Sequence, residues 1–170
     1  MQIQNFGGIN ELRGFLKALK LVPEFDLTVQ SVALVRDAEA NAITAQQAAR
    51  DALKDAGFPV PSQPLIQTGG PPRPRVSFLV LPGGLNNGKL ETMCLSSVSV
   101  DPAMPCVDSY FQCLHRAGLA LPSNMDKARL QAFLASRPEP GMLLGQAAHA
   151  GYWPWPHPAF DQIKQLVQAL

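Results

Sequence analysis

Two acidic side chains, Asp37 and Glu39, are separated by one residue at the predicted carboxyl end of a buried strand. In an extended chain this spacing points both carboxylates to the same side. Mg²⁺ and Mn²⁺ prefer carboxylate and water oxygens over thiol or imidazole ligands. A cation held there would polarise a phosphate oxygen and lower the pKa of a bound water. The spacing alone leaves a second interpretation open, in which the acidic turn only caps the next helix.

A predicted α/β sheet positions this pair. The apolar, β-branched run Val29–Arg36 (VQSVALVR) predicts a strand buried on both faces, and Arg75–Leu81 (RVSFLVL) predicts another. Gln2–Phe6 alternates as a strand does. A helix with an alanine-rich face joins the last two strands, and Asn41 or Thr44 can cap its start. Strands alternating with helices predict a largely parallel, Rossmann-like sheet, and ligands gather at the carboxyl ends of its strands.

The second half of the chain predicts helices only. We therefore expect an α/β core over residues 1–100 and a helical C-terminal extension packed on it over residues 101–170. Ser123 with Asp126 resembles a capping box at the start of one of these helices. We find no internal repeat.

Basic residues are too few for a broad nucleic-acid surface. Lys and Arg total 14 and Asp and Glu total 13, which gives a formal net charge of +1. This balance excludes a generally basic face. The proline-rich loop Pro59–Arg75 holds Arg73 and Arg75, which form the nearest basic cluster beside the predicted acidic site.

The compartment is predicted from what the chain lacks. No window approaches the run of about 18 apolar residues that spans a bilayer. The start, MQIQNFGG, has no charged segment followed by an apolar stretch, so we expect no signal peptide. Cys94, Cys106 and Cys113 have no CxxC spacing and are expected to be reduced thiols. We therefore expect a cytoplasmic protein that does not enter a membrane.

Five segments, taken in order, resemble the DUF3226 family of Toprim-like proteins. They are ALVRDAEAN, RVSFLVLPGG, NNGKLE, KARLQAFLAS and PGMLLGQA, and the likeness spans nearly the whole chain. The resemblance implies a Toprim-like fold in which Asp37 and Glu39 bind Mg²⁺ or Mn²⁺. It adds Glu91 as a further acidic ligand and Lys127 as a helical lysine beside phosphate. It also implies metal-dependent nuclease or nicking activity on nucleic acid and an ABC-type or OLD-type ATPase as a partner.

One departure from the Toprim pattern bears on activity. Toprim chains begin with a strand ending in Glu-Gly-x-x-Asp, and this sequence contains no such motif. Glu11, the only early acid, lies on the predicted first helix. A start at the wrong methionine, a strand supplied by a partner, or lost catalysis would each account for this. Because a sheet without that strand exposes an edge, we expect self-association or pairing with another chain.

Other candidate residues predict less. His115, His149 and His157 are scattered, so we expect surface or core roles for them. The aromatic and proline-rich segment Tyr152–Pro158 could stack on bases, but packing or a partner surface is the favoured interpretation. The alternative function is a non-catalytic interaction subunit of an ATPase-containing complex. A third hypothesis is nucleotidyl transfer or another phosphotransfer by the same acids.

Overall fold

The computed structural model describes residues 1–170 as a mixed α/β chain. The helices are α1 (Leu12–Lys20), α2 (Phe25–Thr28), α3 (Ala42–Asp55), α4 (Leu90–Ser97), α5 (Met104–Arg116), α6 (Met125–Ala135), α7 (Leu144–His149) and α8 (Asp161–Gln168), with a 3₁₀ turn at Pro158–Phe160. The strands are β1 (Ser31–Asp37) and β2 (Arg75–Leu81). None of these helices is long and apolar enough to cross a membrane.

The chain folds as two compact units. The first comprises Met1–Asn87 together with Gln162–Leu170, and the second comprises Gly88–Asp161. The boundary therefore lies at residue 87, whereas the sequence predicted a division after residue 100. The final helix belongs almost entirely to the first unit.

The sheet of the first unit has two parallel strands in register, from Ser31 opposite Arg75 to Asp37 opposite Leu81. This confirms the predicted parallel α/β class. The crossover helix α3 packs on the sheet through its small face, because Ala45, Ala49 and Ala52 are almost fully buried. Alanines allow the helix to approach the strands closely.

The two outer edges of this sheet differ. The outer edge of β2 is partly covered, since Thr68 pairs antiparallel with Val76 and the Leu65 N–H donates to the Phe78 carbonyl at 2.9 Å. On β1 the odd-numbered residues direct their backbone groups away from β2. Ala33 and Val35 make no backbone hydrogen bond across that edge. Within the chain, these two residues leave their outward backbone groups without a backbone partner.

The predicted N-terminal strand Gln2–Phe6 is wrong. The segment has no partner strand, and without one an isolated strand cannot satisfy its backbone groups. The Asn5 side chain instead accepts a hydrogen bond from the Gly7 N–H at 2.9 Å. Ile3 is 85% exposed, while the Phe6 ring lies 6.3 Å from that of Phe15.

The second unit is helical, with the aromatic segment packed inside it. Trp153 is buried and stacks on Phe133 of α6 at 5.6 Å, and its indole N–H donates to the Leu144 carbonyl at 3.2 Å. This packing accounts for Trp153 without a role in base stacking.

The predicted capping box at the start of α6 is wrong. The Asn124 side chain caps the helix by accepting from the Lys127 N–H at 3.1 Å. The Asp126 carboxylate instead accepts a hydrogen bond from the Thr92 hydroxyl of α4. Ser123 therefore lies one residue before the cap.

Candidate metal site

Asp37 lies at the carboxyl end of the sheet, as predicted. It is the last residue of β1, opposite Leu81, which is the last residue of β2. The Ala38 N–H donates to the Leu81 carbonyl at 2.8 Å, so the ladder continues to the residue between the two acids. This pairing fixes the backbone on which the Asp37 side chain is mounted.

Glu39 is held in a turn and not in an extended chain. Its φ is 55°, in the left-handed region, which costs a non-glycine residue about 1 kcal/mol or more. The turn brings the Asn41 N–H to the Ala38 carbonyl at 3.2 Å, and Asn41 then caps α3 by accepting from Thr44 at 2.9 Å. The expectation that extended geometry aligns the two carboxylates is therefore wrong.

The two acids have one electrostatic partner in common, the Arg36 guanidinium. Burial lowers the pKa of Arg36, while the negative charges of Asp37 and Glu39 raise it, so both carboxylates act on the same cation. Its Nε donates to the Asp37 carbonyl at 3.2 Å and its Nη1 donates to the Ala45 carbonyl at 3.4 Å. Sequence reasoning missed this residue. A charged side chain ending an otherwise apolar strand is the signal that could have found it.

The loop after β2 is tied to its surroundings by three side chains. Asn87 Oδ1 accepts from the Ala42 N–H at 3.0 Å, and Gln46 donates to the Gly84 carbonyl at 2.9 Å. Gln162 accepts from the Gly84 N–H at 3.1 Å. A Cβ on Gly83, whose φ is 121°, would lie 2.5 Å from that amide oxygen, so a glycine is required there. These contacts fix the loop that follows β2 at the carboxyl end of the sheet.

Glu91 and Lys127 belong to the second unit and occupy the first turns of neighbouring helices. Glu91 lies in α4 and Lys127 in α6, and the Thr92–Asp126 hydrogen bond joins the two helix starts. Glu91 is half-buried, and its charge contributes to the raised pKa of Cys94. The four predicted site residues thus form two pairs, one in each unit.

The predicted basic cluster does not lie beside the acidic pair. Arg75 is the first residue of β2 and Asp37 the last of β1, so they occupy opposite ends of the sheet. Six residues at about 3.3 Å each place them roughly 20 Å apart. The cation near the acids is Arg36, which directly precedes Asp37 in the sequence.

The donor set at the carboxyl edge fits a hard cation held through few protein ligands. Neither unit contains a group of three or more His, Cys, Asp and Glu side chains able to hold a metal ion. Mg²⁺ commonly binds through one or two carboxylates and keeps several waters. Asp37, half-buried, and Glu39, exposed, supply that number of carboxylates with room for water.

A family model described as "Protein of unknown function (DUF3226)" matches residues 1–170. The chain therefore belongs to the DUF3226 family. No curated protein and no solved structure matches it.

Proposed function

We propose that this protein carries out metal-dependent phosphodiester chemistry on nucleic acid, as a nuclease or nicking domain. The observation that carries the proposal is the placement of Asp37 and Glu39 at the carboxyl end of the parallel sheet, where α/β proteins bind ligands. Both carboxylates interact electrostatically with the Arg36 guanidinium, which supports their use in one site.

Asp37 and Glu39 would hold Mg²⁺ or Mn²⁺, and Glu91 is a further candidate ligand on the family resemblance alone. The bound ion would polarise a phosphate oxygen and lower the pKa of a water. Arg36, whose planar guanidinium suits phosphate oxygens, would bind the scissile strand beside the acids. The family resemblance also suggests Lys127 as a lysine that would contact phosphate.

The same proposal includes the finer architecture and the setting. We propose a Toprim-like fold working in the cytoplasm beside an ABC-type or OLD-type ATPase. The order of the family-like segments and the strand-end acids support the Toprim-like fold, and the family resemblance alone suggests the ATPase.

A non-catalytic interaction subunit is the second candidate function, and the open edge of β1 favours it. The backbone groups of Ala33 and Val35 are available to pair with a strand from another chain. We expect the isolated protein to self-associate through this edge. Sedimentation across a wide concentration range tests this, and a monomer at every concentration would contradict it.

Plasmid cleavage in the presence of Mg²⁺ or Mn²⁺ tests the catalytic proposal. We expect the wild-type protein to nick or cut DNA and Asp37→Asn to lose this activity, because the substitution removes a metal-binding charge while preserving size. Asp51→Asn on α3 is the matched control, since Asp51 only accepts a hydrogen bond from Gln47 at 2.9 Å. Cleavage that survives in Asp37→Asn would refute the site. A wild-type protein without cleavage would favour the interaction subunit.

A further inference from the structure

A cleft of about 540 Å³ lies between α5 and α6, within the second unit. Apolar side chains form part of its lining. Phe111 is buried, Met125 is half-buried and Leu121 is 37% exposed. The volume falls within the range of about 300–1,000 Å³ that is usual for small-molecule sites.

The polar lining of the same cleft holds two guanidinium groups, one carboxylate, His115 and Gln112. Arg129 Nη2 lies 2.6 Å from Asp108 Oδ1, so an ion pair joins α6 to α5 and fixes one guanidinium on the wall. Asp108 is the only acidic residue of the lining, and Arg129 balances its charge. Arg116 and His115, in the last turn of α5, also line the cleft. The Arg116 charge is therefore balanced by no carboxylate in the cleft.

We propose that this cleft binds a small organic anion that joins a carboxylate or phosphate group to a flat apolar ring. The anionic group pairs with Arg116, and Arg129 presents its remaining donors from the opposite helix. The ring lies on Phe111 and Met125, where aromatic and sulfur contacts favour a planar group. The site uses none of the proposed metal ligands, so it stands apart from the proposed phosphodiester chemistry.

Methionine methyl resonances provide a local probe, because Met125 is the one methionine in the lining. In protein labelled at the methionine methyl carbons, 1-naphthyl phosphate and 1-naphthoate are titrated in separate experiments. We expect the Met125 resonance, assigned with Met125→Leu, to shift with saturation. Met93, which is buried elsewhere in the unit, and Met142, outside the cleft, should not shift. The compound that binds with the higher affinity shows whether the cleft prefers a phosphate or a carboxylate group.

Charge variants test the recognition. Arg116→Gln should weaken the better probe about fivefold, the scale of one exposed ion pair. Lys54→Gln, which removes an equal charge from the exposed face of α3, should leave its affinity unchanged. Uncharged 1-naphthol should bind more weakly than either anion. The proposal is overturned by an unmoved Met125 resonance, by equal shifts of all three methionines, or by full affinity in Arg116→Gln.

Discussion

If Asp37 and Glu39 bind a metal ion as proposed, removing the positive charge of Arg36 is expected to strengthen that binding. The guanidinium lies beside the acids and is held there by bonds to the Asp37 and Ala45 carbonyls. A divalent cation on the same carboxylates is therefore repelled by a fixed neighbouring charge. Arg36→Gln retains a donor for a carbonyl while removing that charge.

The contact of 3.2 Å between Arg36 Nε and the Asp37 carbonyl sets the scale of the effect. A cation on the adjacent carboxylate would lie on the order of 6 Å from the guanidinium, where one unit charge repels a divalent ion by roughly 1.4 kcal/mol in water. That is about tenfold in Kd. Screening with a Debye length of about 8 Å at physiological salt halves the energy and leaves about threefold.

Mn²⁺ titration followed by electron paramagnetic resonance measures this directly, at low and at physiological salt. We expect Arg36→Gln to bind Mn²⁺ about three- to tenfold more tightly, with the larger gain at low salt. Arg36→Lys should resemble the wild type. Arg73→Gln, at the opposite end of the sheet, is the matched control. If Arg36→Gln binds no more tightly than Arg73→Gln, the electrostatic reasoning is wrong. If no variant binds Mn²⁺, either alone or together with a DNA oligonucleotide, the metal site itself is wrong.

Two further predictions concern the buried serines and the thiols. Ser77→Ala should leave the free energy of unfolding unchanged or raise it, because the buried Ser77 hydroxyl has no hydrogen-bond partner. Ser97→Ala should lower the free energy of unfolding, measured in denaturant, by about 1 kcal/mol, because the Ser97 hydroxyl donates to the Cys94 carbonyl at 2.7 Å. Burial, followed by the charge of Glu91, raises the pKa of the Cys94 thiol to about 12. Ellman's reagent should therefore titrate exposed Cys106 and Cys113 in the native protein and a third thiol only after unfolding.

The same pKa shift has a consequence for stability at alkaline pH. In the unfolded chain the Cys94 thiol ionises near its ordinary value of 9.0, whereas in the folded chain it stays protonated until about 12. Above the unfolded value, ionisation favours the unfolded state. The contribution of this group therefore declines between these two values, and replacing Cys94 by alanine should flatten that decline in denaturant unfolding.

The helices and strands that depend on local sequence pattern, such as β1 and α3, could be predicted from the sequence. The apolar run of β1 and the alanine face of α3 carry their own periodicity, and Asn41 is a strong capping residue. The N-terminal segment could not be judged this way, because alternation indicates a strand only when a neighbour supplies the hydrogen bonds. The position of Arg75 was likewise missed. Arg75 begins β2, whereas the acids lie where the strands end, so the two are at opposite ends of the sheet.

The candidate site was predictable in its acids but not in its electrostatics. Spacing identified Asp37 and Glu39, yet the left-handed turn at Glu39 removed the geometric reason for aligning them. What relates them instead is the shared Arg36 charge, which depends on a side chain reaching the α3 backbone. A contact of that kind joins residues nine positions apart in sequence and has no local signature.

A pair of carboxylates that already neighbours a guanidinium has little negative charge left with which to attract a divalent ion. Under the proposed function, metal affinity would then depend on the substrate, because phosphate oxygens complete the coordination of Mg²⁺ and also offer Arg36 a better partner than a backbone carbonyl. As Arg36 turned toward phosphate, its repulsion of the ion would be offset by the charge of the phosphate. A site with two carboxylates is thus consistent with metal-dependent chemistry, provided that metal and nucleic acid bind together.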